Sequence, residues 1–205
     1  MDRIFLLSPA HCGGRRANQV LSASSQSPLA LELRSHRGAR LGDVFAFISG
    51  LYFRGKLTYA RRFAAPPDPA SGSGIHVITT TSGLRDPDTT VTADALRAFA
   101  GGDIDPDDPG YRRPLEQSAR ALLQEIGPDC DIVLLGSIAS PKYVDVLVSV
   151  FGERLRFPVD FVGRGDMSRG GLLLRKAAEG VELPYVAVEG ATRHGARPPK
   201  LQRLR

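Results

Sequence analysis

The chain has 205 residues, 42% of them hydrophobic and 24% charged, which suits one α/β domain able to bury a full-sized core without disulfides. It has no run of roughly eighteen uncharged apolar residues, which excludes a helical membrane span. Asp2 and Arg3 stand before only four apolar residues, and only two cysteines occur, Cys12 and Cys130; these predict no signal peptide, no disulfide framework and a cytoplasmic location.

The net charge of +5 resides in one stretch. Residues 193–205 carry Arg193, Arg197, Lys200, Arg203 and Arg205 and no acid, leaving 22 basic against 22 acidic residues elsewhere. Residues 1–190 are therefore expected to form a single α/β domain, and residues 191–205 a basic C-terminal arm.

Five short apolar, partly β-branched runs at 4–7, 75–80, 132–135, 157–162 and 185–188 are predicted strands. They are nearly continuous rather than alternating, as suits strands buried on both faces. Segments 43–63, 92–100, 114–126, 141–151 and 168–179 have the length and apolar spacing of helices. The alternation predicts a three-layer α/β/α sandwich around a mainly parallel sheet of four or five strands. Ligands gather at the carboxyl ends of such strands. Four loops are expected to converge there: "SPAHCGGRR", "TSGLRDPDTT", "GSIASPK" and "GRGDMSRGG".

Each loop offers chemistry. "GRGDMSRGG" lacks the third glycine of a dinucleotide fingerprint, Ser168 standing in its place, yet a strand-to-helix turn with Ser168 as N-cap and Arg164 and Arg169 nearby suits an anion. "SPAHCGGRR" adds Arg15 and Arg16 as phosphate contacts and His11 as a base contact. His11 and Cys12 are adjacent, so their side chains point apart and do not form a base–nucleophile pair. "TSGLRDPDTT" brings Ser82, Gly83, Asp86 and Asp88; a carboxylate over a sugar ring can activate water or steady an oxocarbenium-like transition state, while Asp-Pro-Asp is also ordinary turn chemistry. "GLYFRGKLTYARR" interleaves Tyr52 and Phe53, able to stack on a base, with Arg54 and Lys56, able to hold phosphate; helix packing accounts for the same aromatics. The histidines and cysteines show no metal-ligand spacing, so neither metal nor cofactor is expected.

In order, "SGLYFRGKLTYARRFA", "TSGLRDPDTTV", "IVLLGSIASPKYVDVL" and "FVGRGDMSRGGLLLR" resemble the YaaA-like proteins and a related uncharacterised bacterial family over roughly residues 43–178. That group is similar in fold to uracil-DNA glycosylases and to the amino-terminal part of archaeosine synthase. The resemblance sets Gly83, Asp86 and Asp88 at the relatives' GLLDPD loop and Gly163 and Gly165 at their late glycine loop. The G-x-D-P-Y and H-P-S patterns of true uracil-DNA glycosylases are absent, so their catalytic residues do not transfer. What the resemblance implies is a DNA glycosylase-type enzyme that cleaves the N-glycosidic bond of a damaged or modified base flipped into a strand-end pocket. Asp86, Asp88 or Asp166 would act on the sugar, with DNA or another nucleic acid as the partner, in repair or in defence against modified DNA. A non-catalytic DNA-binding protein and a small nucleotide or nucleotide-sugar enzyme are the alternatives.

Overall fold

The computed structural model describes residues 2–70, 72–199 and 201. Ser71, and Lys200, Arg203 and Arg205 of the expected arm, lie outside the described residues.

In chain order the elements are β1 (Arg3–Leu7), α1 (Arg15–Leu21), α2 (Pro28–Arg34), β2 (Ala39–Arg40), α3 (Leu41–Ser49), α4 (Leu51–Phe63), β3 (Ile75–Ile78), β4 (Leu84–Arg85) and β5 (Thr90–Val91). There follow α5 (Ala93–Gly101), α6 (Pro109–Glu125), β6 (Asp131–Leu135), α7 (Val144–Phe151), β7 (Leu155–Pro158), α8 (Asp166–Glu179) and β8 (Tyr185–Ala187). Among the described residues the main sheet has six strands in the order β4-β3-β1-β6-β7-β8. The four inner strands are parallel, and β4 and β8 close the edges antiparallel.

The inner strands separate two apolar layers because successive side chains point to opposite faces. Phe5, Leu7, Val133 and Leu135 pack beneath α1 to α5 and α8. Ile4, Leu6, Ile132 and Leu134 pack against α6 and α7. The result is the expected α/β/α sandwich, with β4 added from a segment expected to be loop. No helix among the described residues is long and apolar enough to cross a membrane.

Several boundaries depart from the sequence reading. Segment 43–63 is two helices, not one, because Gly50 takes φ 63° between them, a conformation glycine adopts without penalty. Helix α6 starts at Pro109, where Asp108 caps the Gly110 N–H at 2.8 Å, so Pro114 lies inside the helix rather than at its start. Strand β7 ends at Pro158, and residues 159–161 form a 3-10 turn instead of further strand. Helix α8 begins at Asp166 with Gly165 as N-cap. Ser168 is therefore in the first turn and does not cap the helix.

Candidate functional site

Beyond the carboxyl ends of β1, β3 and β6 lies a cavity of about 870 Å³. Its walls are the loop 8–13 after β1, Thr80 after β3, residues 137–143 after β6, and Asp166 and Arg169 at the start of α8. Ser49 and Tyr52 at the α3–α4 junction, and Phe99 with residues 102–105 past α5, complete it. The Thr80 hydroxyl donates to the Phe99 carbonyl at 2.8 Å and so ties the end of α5 to the strand ends. Of the four loops expected to converge, three supply lining residues, while "TSGLRDPDTT", residues 81–90, supplies none; Thr80, which precedes it, is what β3 contributes.

Beneath the floor sits Lys56, 0% exposed. Its Nζ donates to the Ser8 carbonyl at 2.5 Å and to Ser8 Oγ at 2.8 Å, and lies 4.5 Å and 4.8 Å from the ring centres of Tyr52 and Phe53. Among the described residues no carboxylate bonds to it. Burial therefore depresses its ammonium to about 7, with Arg169 pushing the same way and Asp166 opposing; a buried cation without a paired anion is costly, and the neutral amine is the form that relieves the cost. Ser8, itself buried, also hydrogen-bonds Tyr143, whose hydroxyl donates to the Ser137 carbonyl at 2.9 Å. Burial raises the Tyr143 and Tyr52 hydroxyls above the ordinary tyrosine range, so both are protonated at neutral pH. The Tyr52 hydroxyl proton has no acceptor, although the residue lines the cavity.

What brings Lys56 to this point is a close crossing of α4 over α8. A Cβ added at Gly55 would stand 2.6 Å from the Gly170 carbonyl oxygen, and one at Gly170 would stand 2.8 Å from the Leu51 carbonyl oxygen. Glycine at both positions lets the two backbones touch, and this places the α8 charges beside the α4 lysine. Arg169, also buried, is held by its own chain: Nε and Nη2 donate to the Phe161 carbonyl at 3.2 Å and 3.1 Å. Its Nη1 lies 3.4 Å from Asp166 Oδ1, leaving the Asp166 carboxylate at the cavity wall.

The residues singled out in the sequence divide into two groups. His11, Tyr52, Asp166 and Arg169 line the cavity. Asp86 and Asp88 do not: Asp88 pairs with Arg61 at 2.9 Å and with Arg40 at 3.7 Å, and Asp86 accepts from the Ser73 hydroxyl at 2.7 Å and from the Asp88 N–H at 2.7 Å. Their Asp-Pro-Asp is turn chemistry. Gly83 is a packing glycine, since a Cβ there would meet the Pro114 carbonyl oxygen at 2.2 Å, and Ser82 stays in the turn with its N–H on Thr79 Oγ1. Phe53 is 0% exposed and packs edge-on against Phe45 at 5.4 Å, so it belongs to the core and does not stack on a ligand. Arg15 and Arg54 are exposed and outside the cavity lining. Arg16 reaches the Phe47 carbonyl at 3.4 Å. Arg164 bonds the Asp160 carbonyl at 2.9 Å and Ser168 Oγ at 3.3 Å, so these two are satisfied by the fold rather than aimed at the cavity.

Cys12 lines the cavity, but burial pushes its thiol up to about 12 and its Sγ donates to the Ala10 carbonyl at 3.4 Å; it is the wrong form for a nucleophile. Among the described residues no three His, Cys, Asp or Glu side chains are grouped to hold a metal ion.

Ser8, Lys56, Tyr143, Lys142, Asp103 and Asp105 complete the site; of these the sequence offered only Lys56 a role, as a phosphate contact, which its complete burial excludes. For Lys56 a signal existed: it follows Tyr52 and Phe53 by four and three residues and precedes Tyr59 and Ala60 by three and four, which sets a lysine in the middle of an apolar helical face. Comparison of the chain with family models, with curated proteins and with solved structures returns no match.

Proposed function

We propose that the protein is a glycosylase-type hydrolase that cleaves the N-glycosidic bond of a damaged or modified base in DNA, the base being flipped into the strand-end cavity. The observation that carries this reading is the Asp166 carboxylate at the wall of a cavity of about 870 Å³, paired with Arg169 at 3.4 Å, with Tyr52 in the same lining. The volume lies within the roughly 300–1,000 Å³ of small-molecule sites. A fixed carboxylate beside a sugar can orient water or steady positive charge that develops as the base leaves. Tyr52 and His11 offer a base a face and an edge. Lys142, exposed at the mouth, supplies a phosphate contact in place of the arginines of the turn loops, and the basic residues of 193–205 add sequence-independent affinity. Repair and defence against modified DNA are the processes such an activity serves.

A specific feature favours a second reading, a small nucleotide or nucleotide-sugar enzyme. Asp103 and Asp105 line the cavity as Lys142 does, and their charge repels a continuous phosphodiester backbone more than it repels a compact ligand. The test is base release followed by mass spectrometry, from duplex and single-stranded DNA carrying normal, deaminated, alkylated and hypermodified bases and, in parallel, from free nucleotides. Release from DNA that is lost in Asp166→Asn supports the first reading. Release confined to free nucleotides supports the second, and salt-sensitive DNA binding without release would leave a non-catalytic binder.

A further inference from the structure

We propose that Ser8 and Lys56 form a nucleophile–base pair that attacks the carbonyl carbon of an ester or amide bound in the same cavity, an acyl-transfer activity distinct from glycosidic cleavage. Three observations of geometry carry it. Ser8 lines the cavity, its Oγ lies 2.8 Å from Lys56 Nζ, and Lys56 has no contact with solvent. An activated serine needs a base within hydrogen-bond reach and that base oriented by a further group. Here the Ser8 carbonyl is the further group: it takes one N–H of Lys56 at 2.5 Å. The neutral amine keeps that bond and turns its lone pair to Oγ–H.

The chemistry closes without an outside reagent other than water. Ser8 Oγ adds to the carbonyl carbon as its proton passes to Lys56 Nζ. The tetrahedral intermediate collapses with loss of the alcohol or amine, which takes that proton from Lys56, and Ser8 is left acylated. Water then adds with Lys56 as base, and the carboxylic acid leaves as Oγ recovers its proton. The Tyr52 hydroxyl, buried at the cavity with its proton unused, is the donor for the oxyanion. The charged and titratable groups that face Lys56 are Asp166 and Arg169 from α8 and Tyr52 from its own helix, with Tyr143 beyond Ser8. Asp166 and Arg169 oppose each other in their effect on its ammonium, so burial decides its state and leaves the free amine populated near neutral pH.

The experiment is covalent labelling of the full chain by a fluorophosphonate, in which Ser8 Oγ bonds to phosphorus, fluoride leaves and Lys56 takes the proton. Intact mass and peptide mapping identify the site, and the rate is followed from pH 5 to 9. The expected result is one adduct on Ser8, formed at a rate that rises through an inflection near pH 7 to a plateau, and loss of at least about 10²-fold in rate in Lys56→Met and in Lys56→Arg, which has no free base at these pH values. Ser8→Ala is expected to carry no adduct. The wild-type labelling decides the matter even where a variant does not fold: no adduct, an adduct elsewhere, or a Ser8 rate that climbs with hydroxide without a plateau overturns the pair. None of these outcomes depends on base release, so failure of the glycosidic reading and failure of this one are separately visible.

Discussion

Lys56 is the residue on which the site turns, because among the described residues no carboxylate pairs with its buried ammonium, and Arg169 opposes what Asp166 offers from a distance. The consequence for stability follows from proton counting. A free lysine titrates near 10.4, whereas burial lowers Lys56 to about 7. Below pH 7 it is protonated in both folded and unfolded chains, and its burial weighs fully against folding. Between about 7 and 10 the unfolded chain holds a proton that the folded one lacks, so stability rises with pH. Lys56→Met removes this dependence. Its melting temperature relative to the native chain is expected to be highest at pH 6 and to fall toward pH 10, by up to about 1.4 kcal/mol per pH unit in stability; a difference that is constant across that range would show Lys56 to stay protonated in the folded chain as it does in the unfolded one. Legibility at this scale was uneven for a physical reason. Asp86 and Asp88 have the composition of a catalytic loop, but side chains within a turn satisfy one another, and only the fold shows Arg61 and Arg40 closing on Asp88. Asp166 and Arg169 were legible because a strand-to-helix turn carries its side chains to the sheet's carboxyl edge.

The contact between α4 and α8 is the element-scale feature that assembles the site. Two glycines, Gly55 and Gly170, face each other's backbones, and the side chains on either side, Lys56 and Arg169, are thereby buried together. Gly170→Ala puts a methyl 2.8 Å from the Leu51 carbonyl oxygen, so the helices must part. The expected cost is about 1–3 kcal/mol by urea unfolding, together with a rise in the fluorophosphonate inflection as water reaches Lys56. Unchanged stability and an unchanged inflection would mean that the helix spacing does not set the lysine's environment. Such a crossing is invisible in sequence, since each glycine alone reads as a weak helix residue. The helices themselves were legible wherever an apolar stripe ran unbroken. The stripe of 43–63 concealed the break at Gly50, because Val44, Phe45 and Ile48 on one side and Tyr52, Phe53 and Leu57 on the other all face the same core.

At the scale of the whole molecule, the inner strands were legible because they are buried on both faces and read as continuous apolar runs, whereas their order in the sheet was not. Of the two edges, β8 was read from its apolar run at 185–188, but β4 was not, since it is two residues long and takes its place only by pairing with β3, Leu84 against Ile78. The position of the cavity followed from topology, but its acidic wall did not: residues 103 and 105 reach it through the loop after α5, which only the tertiary fold brings across the strand ends. The charge distribution carries a prediction of its own. Removing residues 193–205 takes away five basic residues, and where DNA is the substrate the slope of log affinity against log salt should become shallower by up to about 4, read from binding isotherms at several salt concentrations. A free-nucleotide enzyme would keep its KM unchanged after the truncation.

The most direct test of glycosidic cleavage is base release from the modified-DNA panel, measured by mass spectrometry on the native chain beside Asp166→Asn. A discrete base is expected from at least one modified substrate, with the rate reduced about 10²–10⁴-fold in the variant. Release that is undiminished in Asp166→Asn, or no release from any DNA or nucleotide, would contradict the role given to this cavity.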